Sequence, residues 1–194
     1  MNEEIEAIAL LKRGDVRGLE VLVRKYQLDS VRIANAITKD FSLAEEIVQE
    51  AFLRVYQCID QYDDARPFRS WFLRIIVNDA LKALTYQNRF VSLEGAGEFD
   101  GSDLAGILSE SSLWFEQEEF GLTHENAQAL QEMLNNLTPE HRAVLELKYY
   151  LDMSDEEIAM TVHIPLGTVK SRLHVAKMVL RSMLERTDLS FSCR

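Results

Sequence analysis

SDEEIAMTVHIPLGTVKSRLHVAKMVLRSML, residues 154–184, holds two helical patterns separated by a break. The first, 154–162, opens on Ser154-x-x-Glu157. This is the capping-box pattern, in which a hydroxyl and a carboxylate each satisfy a free backbone N–H at a helix start. Ile158, Ala159 and Val162 give that helix its apolar face. The break, 163–167, contains Pro165 and Gly167, residues that stop one helix and start the next. In the second helix Val169, Leu173, Ala176, Leu180 and Leu184 recur at steps of four, three, four and four, which makes a core stripe. Beside it Lys170, His174, Lys177 and Arg181 recur at steps of four, three and four, which makes a mostly basic stripe. A short helix, a tight turn and a longer helix with one packed and one basic face suit the major groove of DNA. There Leu166, Thr168, Lys170 and Ser171 would meet base edges, while Arg172, His174 and Lys177 would meet bases or phosphates. Taken alone, such a stripe is as readily a solvated surface, and helix-turn-helix pairs also serve protein contacts.

Moving outward, Thr138-Pro139 marks another helix start, with Thr as cap and Pro in the first turn. Residues 91–125 differ in kind: glycines and serines mix with acidic residues around Leu113, Trp114, Phe115 and Phe120. They read as a linker with one short helix near 111–120. Before the linker, a helix is expected over 67–84, with Pro67 in its first turn and 61–66 as a loop. Ser42-x-x-Glu45 offers a further capping box, followed by Leu43, Ile47, Ala51, Val55 and Ile59 at steps of four. Leu19, Leu22, Val23, Tyr26, Ile33 and Ile37 mark a helical stretch over 15–37. Neither an internal repeat nor strand-like alternation occurs. The fold class is therefore all-α: two small helical domains, 1–90 and 126–194, joined by an acidic linker, 91–125.

The 194 residues carry a formal net charge of −11, which by itself argues against binding phosphates. The charge is unevenly placed, however. Residues 1–90 hold 13 Lys/Arg against 14 Asp/Glu, residues 91–135 hold no Lys/Arg and 10 Asp/Glu, and residues 136–194 hold 8 of each. The two ends are near neutral, so the global figure says little about what either one binds. The opening MNEEIEAIALLKRGD is acidic and lacks the basic segment of a signal peptide, and no apolar run is long enough to span a bilayer. Both features point to the cytoplasm and to no membrane insertion. The two cysteines, Cys58 and Cys193, are too few for a disulfide framework and read as a small core residue and a tail residue.

Between 63 and 89 the chain reads DDARPFRSWFLRIIVNDALKALTYQNR. Arg66, Arg69, Arg74 and Lys82 interleave with Phe68, Trp71 and Phe72. Arginines contact phosphates and aromatic rings stack on unpaired bases, which is what single-stranded DNA binding needs. Phe68, Phe72, Ile75, Ile76 and Ala80 fit a core face at helical spacing, Trp71 suits either role, and the arginines and Asn78 are the functional candidates.

With both ends in view, the chain resembles bacterial RNA polymerase sigma factors of the extracytoplasmic-function group. LAEEIVQEAFLRVY (43–56) is similar to the segment that docks on the polymerase clamp helices. PFRSWFLRIIVNDALKAL (67–84) is similar to the segment that melts and reads the minus-ten element. LTPEHRAVLELKYYLDMSDEEIAMTVHIPLGTVKSRLHVAKMVLR (137–181) is similar to the domain that reads the minus-thirty-five element, with GTVKSRL its sharpest string.

The resemblance implies that Glu45, Glu46, Gln49, Glu50, Phe52 and Arg54 lie on or near the polymerase-binding helix. It implies a pocket for a flipped promoter base at Asp63, Asp64 and Arg66, with Arg69, Trp71, Arg74 and Asn78 beside it. Lys170, Ser171, His174 and Lys177 would read the upstream element. The implied partners are core RNA polymerase, promoter DNA in double- and single-stranded form, and an anti-sigma factor wedged between the two domains. The acidic linker would thread a polymerase channel in place of RNA, or serve as a plain solvated connection.

Two positions depart from the pattern. Where many members carry an Arg/Lys cluster after the melting segment, 85–89 reads TYQNR, and Val175 stands where many have arginine. Both departures remove phosphate contacts and imply weak DNA binding by the free chain. The alternative reading is a two-domain regulator that binds duplex DNA and a small ligand. Enzymatic chemistry, a cofactor, a metal and a small-molecule substrate are not expected. Gly95-Ala96-Gly97 lacks the third glycine of a phosphate loop, and His124, His141, His163 and His174 do not cluster with carboxylates at ligand spacing.

Overall fold

The structure is a computed structural model that describes residues 3–93 and 124–185, with side chains described for 3–86, 129–130 and 132–185. The linker's short helix expected near 111–120, and Cys193, lie outside the described residues. Every regular element among the described residues is helical. The N-terminal domain comprises α1 (Glu3–Lys12), α2 (Arg17–Thr38), α3 (Phe41–Cys58), a 3-10 turn (Ile59–Gln61) and α4 (Phe68–Leu93). The C-terminal domain comprises α5 (His124–Asn135), α6 (Pro139–Leu145) running into a π turn (Glu146–Tyr150), α7 (Asp155–Val162) and α8 (Leu166–Leu184).

Helix α2 organises the N-terminal domain. It buries Gly18, Leu22, Tyr26, Ser30, Ile33, Ala34 and Ile37 along one side and packs against α1, α3 and α4. Gly18 lets α1 approach: a Cβ there would sit 2.2 Å from the Ala7 carbonyl oxygen. Helix α3 buries Ala44, Ile47, Val48, Ala51, Phe52 and Val55. Helix α4 adds Phe68, Phe72, Leu73, Ile76, Val77 and Ala80, all essentially inaccessible. Rings meet at the centre, with Phe52 on Phe72 at 4.6 Å and Tyr26 on Phe68 at 5.6 Å. Such pairs add to the area they bury.

Helix starts follow side-chain chemistry, with one correction. Ser154 and Glu157 form the expected box: Ser154 N–H donates to Glu157 Oε2 at 2.8 Å, and Glu157 N–H to Ser154 Oγ at 3.1 Å. Thr138 caps α6, with Pro139 in its first turn. Ser42, by contrast, caps nothing. The cap of α3 is Asp40, whose carboxylate accepts from Leu43 N at 3.0 Å and starts the helix at Phe41. Helix α1, with its buried Ala7, Ile8 and Leu11, went unread in the sequence, and α4 runs to Leu93 rather than ending near 84.

The domains pack directly on one another, α2 against α6 and α4 against α7, and the buried apolar residues of both form one contiguous cluster. Polar contacts at this boundary include Tyr150, whose hydroxyl donates to Asp29 Oδ1 at 3.0 Å while Arg32 lies 3.6 Å over its ring. Glu146 is enclosed nearby, and its Oε2 accepts no hydrogen bond. Arg32 stands 3.9 Å away, but burial outweighs that attraction and pushes the Glu146 carboxyl above its ordinary value. No described helix is long and apolar enough to cross a membrane.

Two outcomes follow from this packing. Gly18→Ala forces α1 off α2 and lowers unfolding stability by about 1–3 kcal/mol, read by urea denaturation. Glu146 binds its proton more tightly when folded than when unfolded, so its ionisation destabilises the fold as pH rises above the ordinary 4.5. Glu146→Gln therefore raises the denaturation midpoint at pH 7 and leaves it unchanged well below pH 4.5, whereas an equal loss at both pH values would contradict the burial argument.

Candidate nucleic-acid interface

The α7–α8 pair is built by its turn. Helix α7 ends at His163 in the left-handed conformation, φ 57°, with its N–H on the Ala159 carbonyl. Pro165 then caps α8, accepting from Thr168 N at 2.9 Å and Val169 N at 3.2 Å. The helix begins at Leu166, so Gly167 sits inside its first turn rather than in the break. An added Cβ at Gly167 would touch nothing, and the left-handed position falls to His163 instead. On α7 the buried residues are Ile158 and Thr161, while Ala159 and Val162 are half-buried.

Helix α8 presents the two expected faces. Val169, Leu173 and Ala176 are buried, and Leu180 and Leu184 are half-buried. Lys170, Ser171, His174, Lys177 and Arg181 are all exposed. Leu166 and Thr168 are half-buried at the helix start, so their free surface is small. Arg172 is half-buried too and leans on the domain itself. Burial works against ionisation of Glu140, but its own backbone N–H, Thr138 and Arg172 together hold that carboxyl below its ordinary range. Lys177 also lies over the Tyr149 ring at 5.3 Å, which orients it along the surface.

In the N-terminal domain the loop residues Asp63, Asp64 and Arg66 are exposed. Asp63 accepts from Ala65 N at 3.0 Å, Lys12 pairs with Asp64 at 2.6 Å, and the Tyr62 hydroxyl donates to the Arg66 carbonyl. The loop is thus tied to α1 and to its own ends. Trp71 is half-buried, one side of its ring against Tyr62 at 5.3 Å and Phe68 at 5.7 Å. Trp71, Arg74, Asn78 and Lys82 follow at steps of three, four and four, so they share one partly open face of α4. Arg69 does not join them. It points to the other domain and donates to the Leu151 carbonyl at 3.2 Å.

On α3, Glu45, Glu46, Gln49, Glu50 and Arg54 are exposed, Arg54 pairing with Asp79 at 2.6 Å. Phe52 departs from the expectation: it is 6% exposed and belongs to the ring cluster, so its side chain supports the helix from beneath. Beside it a cleft of about 320 Å³ opens between α2 and α3, lined in part by Glu45, Gln49 and Leu53. Leu53 and Tyr56, 57% and 43% exposed, extend this surface and were not singled out in the sequence. Large apolar side chains left in water on an acidic helix are the signal that would have found them. Among the described residues no group of His, Cys, Asp and Glu is placed to hold a metal ion.

Known proteins with this arrangement agree on its family. The model for Sigma-70 region 2 matches residues 22–90, and that for Sigma-70, region 4 matches residues 127–180. The chain is similar to the ECF RNA polymerase sigma factor SigW of Bacillus subtilis (strain 168), with 29% identity over 179 residues, 91% of this chain and 94% of that one. In fold it is similar to CnrH, solved in complex with the cytosolic domain of CnrY, at TM-score 0.66 and 18% identity over 96% of this chain and 99% of that one. It is also similar to the sigma factor RpoE of Bartonella quintana, solved with the anti-sigma factor NepR, at TM-score 0.61 and 18% identity over 84% of this chain and 96% of that one. The chain belongs to the extracytoplasmic-function group of the sigma-70 family and is a transcription initiation factor that recognises promoters.

Proposed function

We propose that this factor divides promoter recognition between two faces and docks on core RNA polymerase by a third. Helix α8 reads the upstream element as duplex, through Lys170 and Ser171 at its start and His174 and Lys177 further along. The α4 face of Trp71, Arg74 and Asn78, with the 63–66 loop beside it, takes the downstream element as single strand. The acidic face of α3 and the adjoining cleft receive polymerase. The observation that carries this reading is the exposed stripe Lys170, His174, Lys177 and Arg181 on a helix whose adjoining face is core. An anti-sigma partner is part of the proposal, supported by the fold shared with RpoE, which was solved with the anti-sigma factor NepR. So is a cytoplasmic location, where polymerase and promoter are found.

A second reading has one observation in its favour. A cleft of about 460 Å³, lined by leucines of α5, α6 and α8 and by Arg32, Lys177 and Arg181, has the volume of a small-ligand site. A ligand-responsive regulator would bind duplex through α8 without polymerase. Pull-down of core polymerase at low salt separates the two, since failure to capture it favours the regulator.

Run-off transcription with core polymerase over a promoter library is the direct test, and silence on every promoter would sink the proposal. Within it, Lys170→Ala relaxes preference at one upstream base pair, about 1–3 kcal/mol, while Lys177→Ala weakens all sequences alike and lowers the salt slope by about 1. Asn78→Ala reduces open complex by about tenfold at nearly unchanged closed-complex affinity, read by permanganate reactivity beside gel shift.

A further inference from the structure

The three faces proposed above leave out helix α1, yet its last side chain reaches the 63–66 loop. The body of α1 is fixed on α2. Ala7, Ile8 and Leu11 are buried, Gly18 allows the close approach, and Glu4 accepts from both Lys25 and Tyr26. Lys12 closes the helix. A lysine in a last turn usually serves its own helix, where it faces the free carbonyls. Lys12 extends to the loop instead. Its Nζ donates to Asp64 Oδ2 at 2.6 Å and to the Tyr62 carbonyl at 3.4 Å, and stands 5.5 Å from the centre of the Tyr62 ring. Among the described residues the loop's other bonds are internal: Ala65 N and Arg66 N donate to Asp63, and the Tyr62 hydroxyl donates to the Arg66 carbonyl.

The Tyr62 ring beside this ammonium also meets Trp71 at 5.3 Å and Phe68 at 5.5 Å. Lys12 therefore touches the entry carbonyl of the loop, the loop carboxylate and the ring that backs Trp71. Stability does not account for the contact. The Asp64 side chain is 69% exposed, and an ion pair so open to water contributes little to folding. Orientation accounts for it better. A carboxylate only accepts, so on an unpaired base it can meet only an N–H donor. With Oδ2 drawn to Lys12, the second oxygen keeps a narrow range of directions. Those directions select among bases whose donors sit at different places on the edge.

We propose that Lys12 is a positioning residue for the downstream element: it acts through Asp64 to set which base the 63–66 loop accepts, and does not itself touch DNA. This rests on the reading that the loop takes an unpaired base. The body of α1, held on α2 through Glu4 and Gly18, is then the fixed point from which the loop is aimed.

The test uses holoenzyme assembled from core polymerase and the full chain. It is bound to forked promoter DNA that carries each of the four bases in turn at every unpaired downstream position. Wild type prefers one base at one position, and Asp64→Ala abolishes that preference. Lys12→Met, which keeps the stem and removes the charge, lowers the ratio of best to worst base there by about three- to tenfold. Lys12→Arg retains part of the preference. In the Asp64→Ala background Lys12→Met changes nothing further, because no carboxylate is left to hold. The urea midpoint of Lys12→Met stays near that of wild type, whereas a variant that merely loosened the fold would weaken all four bases alike. An unchanged base ratio in Lys12→Met overturns the proposal. So does an equal loss with and without Asp64, which marks Lys12 as a direct phosphate contact. If Asp64→Ala itself leaves every base preference as it was, the reading of the loop falls and takes the role of Lys12 with it.

Discussion

A buried guanidinium with no carboxylate bonded to it sets the form of this molecule. Arg142 is 6% exposed and donates to three backbone carbonyls, those of Ala36, Ile37 and Leu137. Burial draws its pKa below the ordinary arginine value, and nearby Glu140 opposes that shift. A charge removed from water is tolerated only when its donors are taken up. Carbonyls at helix ends cannot follow a side chain as a carboxylate does, so the planar fork dictates where the end of α2 and the start of α6 stand. A lysine, with a point charge and a flexible stem, would not impose the same geometry.

Much of the molecule was legible because its code is local. The α8 stripes follow from spacing, and the Ser154–Glu157 box from two residues three apart. Errors arose where two local codes competed. Ser42 has the box pattern, but Asp40 reaches the Leu43 N–H first and moves the helix start. Gly167 looked like the turn residue, yet His163 takes the left-handed position. Phe52 and Arg69 were assigned from position along a motif, which says nothing about the face on which each side chain emerges. Arg142 was invisible for a stronger reason: two of its three partners lie 106 and 105 residues away, and periodicity gives a face but not a distant carbonyl.

The charge distribution takes on meaning once placed in space. The acidic exposed face of α3 and the basic exposed face of α8 belong to different domains, so a chain of net charge −11 still offers a basic helix to a duplex. Under the proposed function that basic face is spare: Arg172 leans on its own domain and Val175 adds no charge. A helix so sparsely charged gains little from phosphates alone and depends on a partner that holds it against the groove.

The π turn at Glu146–Tyr150 carries its own consequence. It accommodates one residue more than an α-helical path of equal length. Each residue of helix turns the chain by about 100°, so that extra residue sets the azimuth of everything beyond it. With it, Leu147 faces the core while Tyr150 and the Leu151 carbonyl face Asp29 and Arg69. Removing one residue would leave helix, composition and charge almost untouched and yet swing both groups away from the first domain. In this stretch a gap of one residue is a change of phase rather than of length.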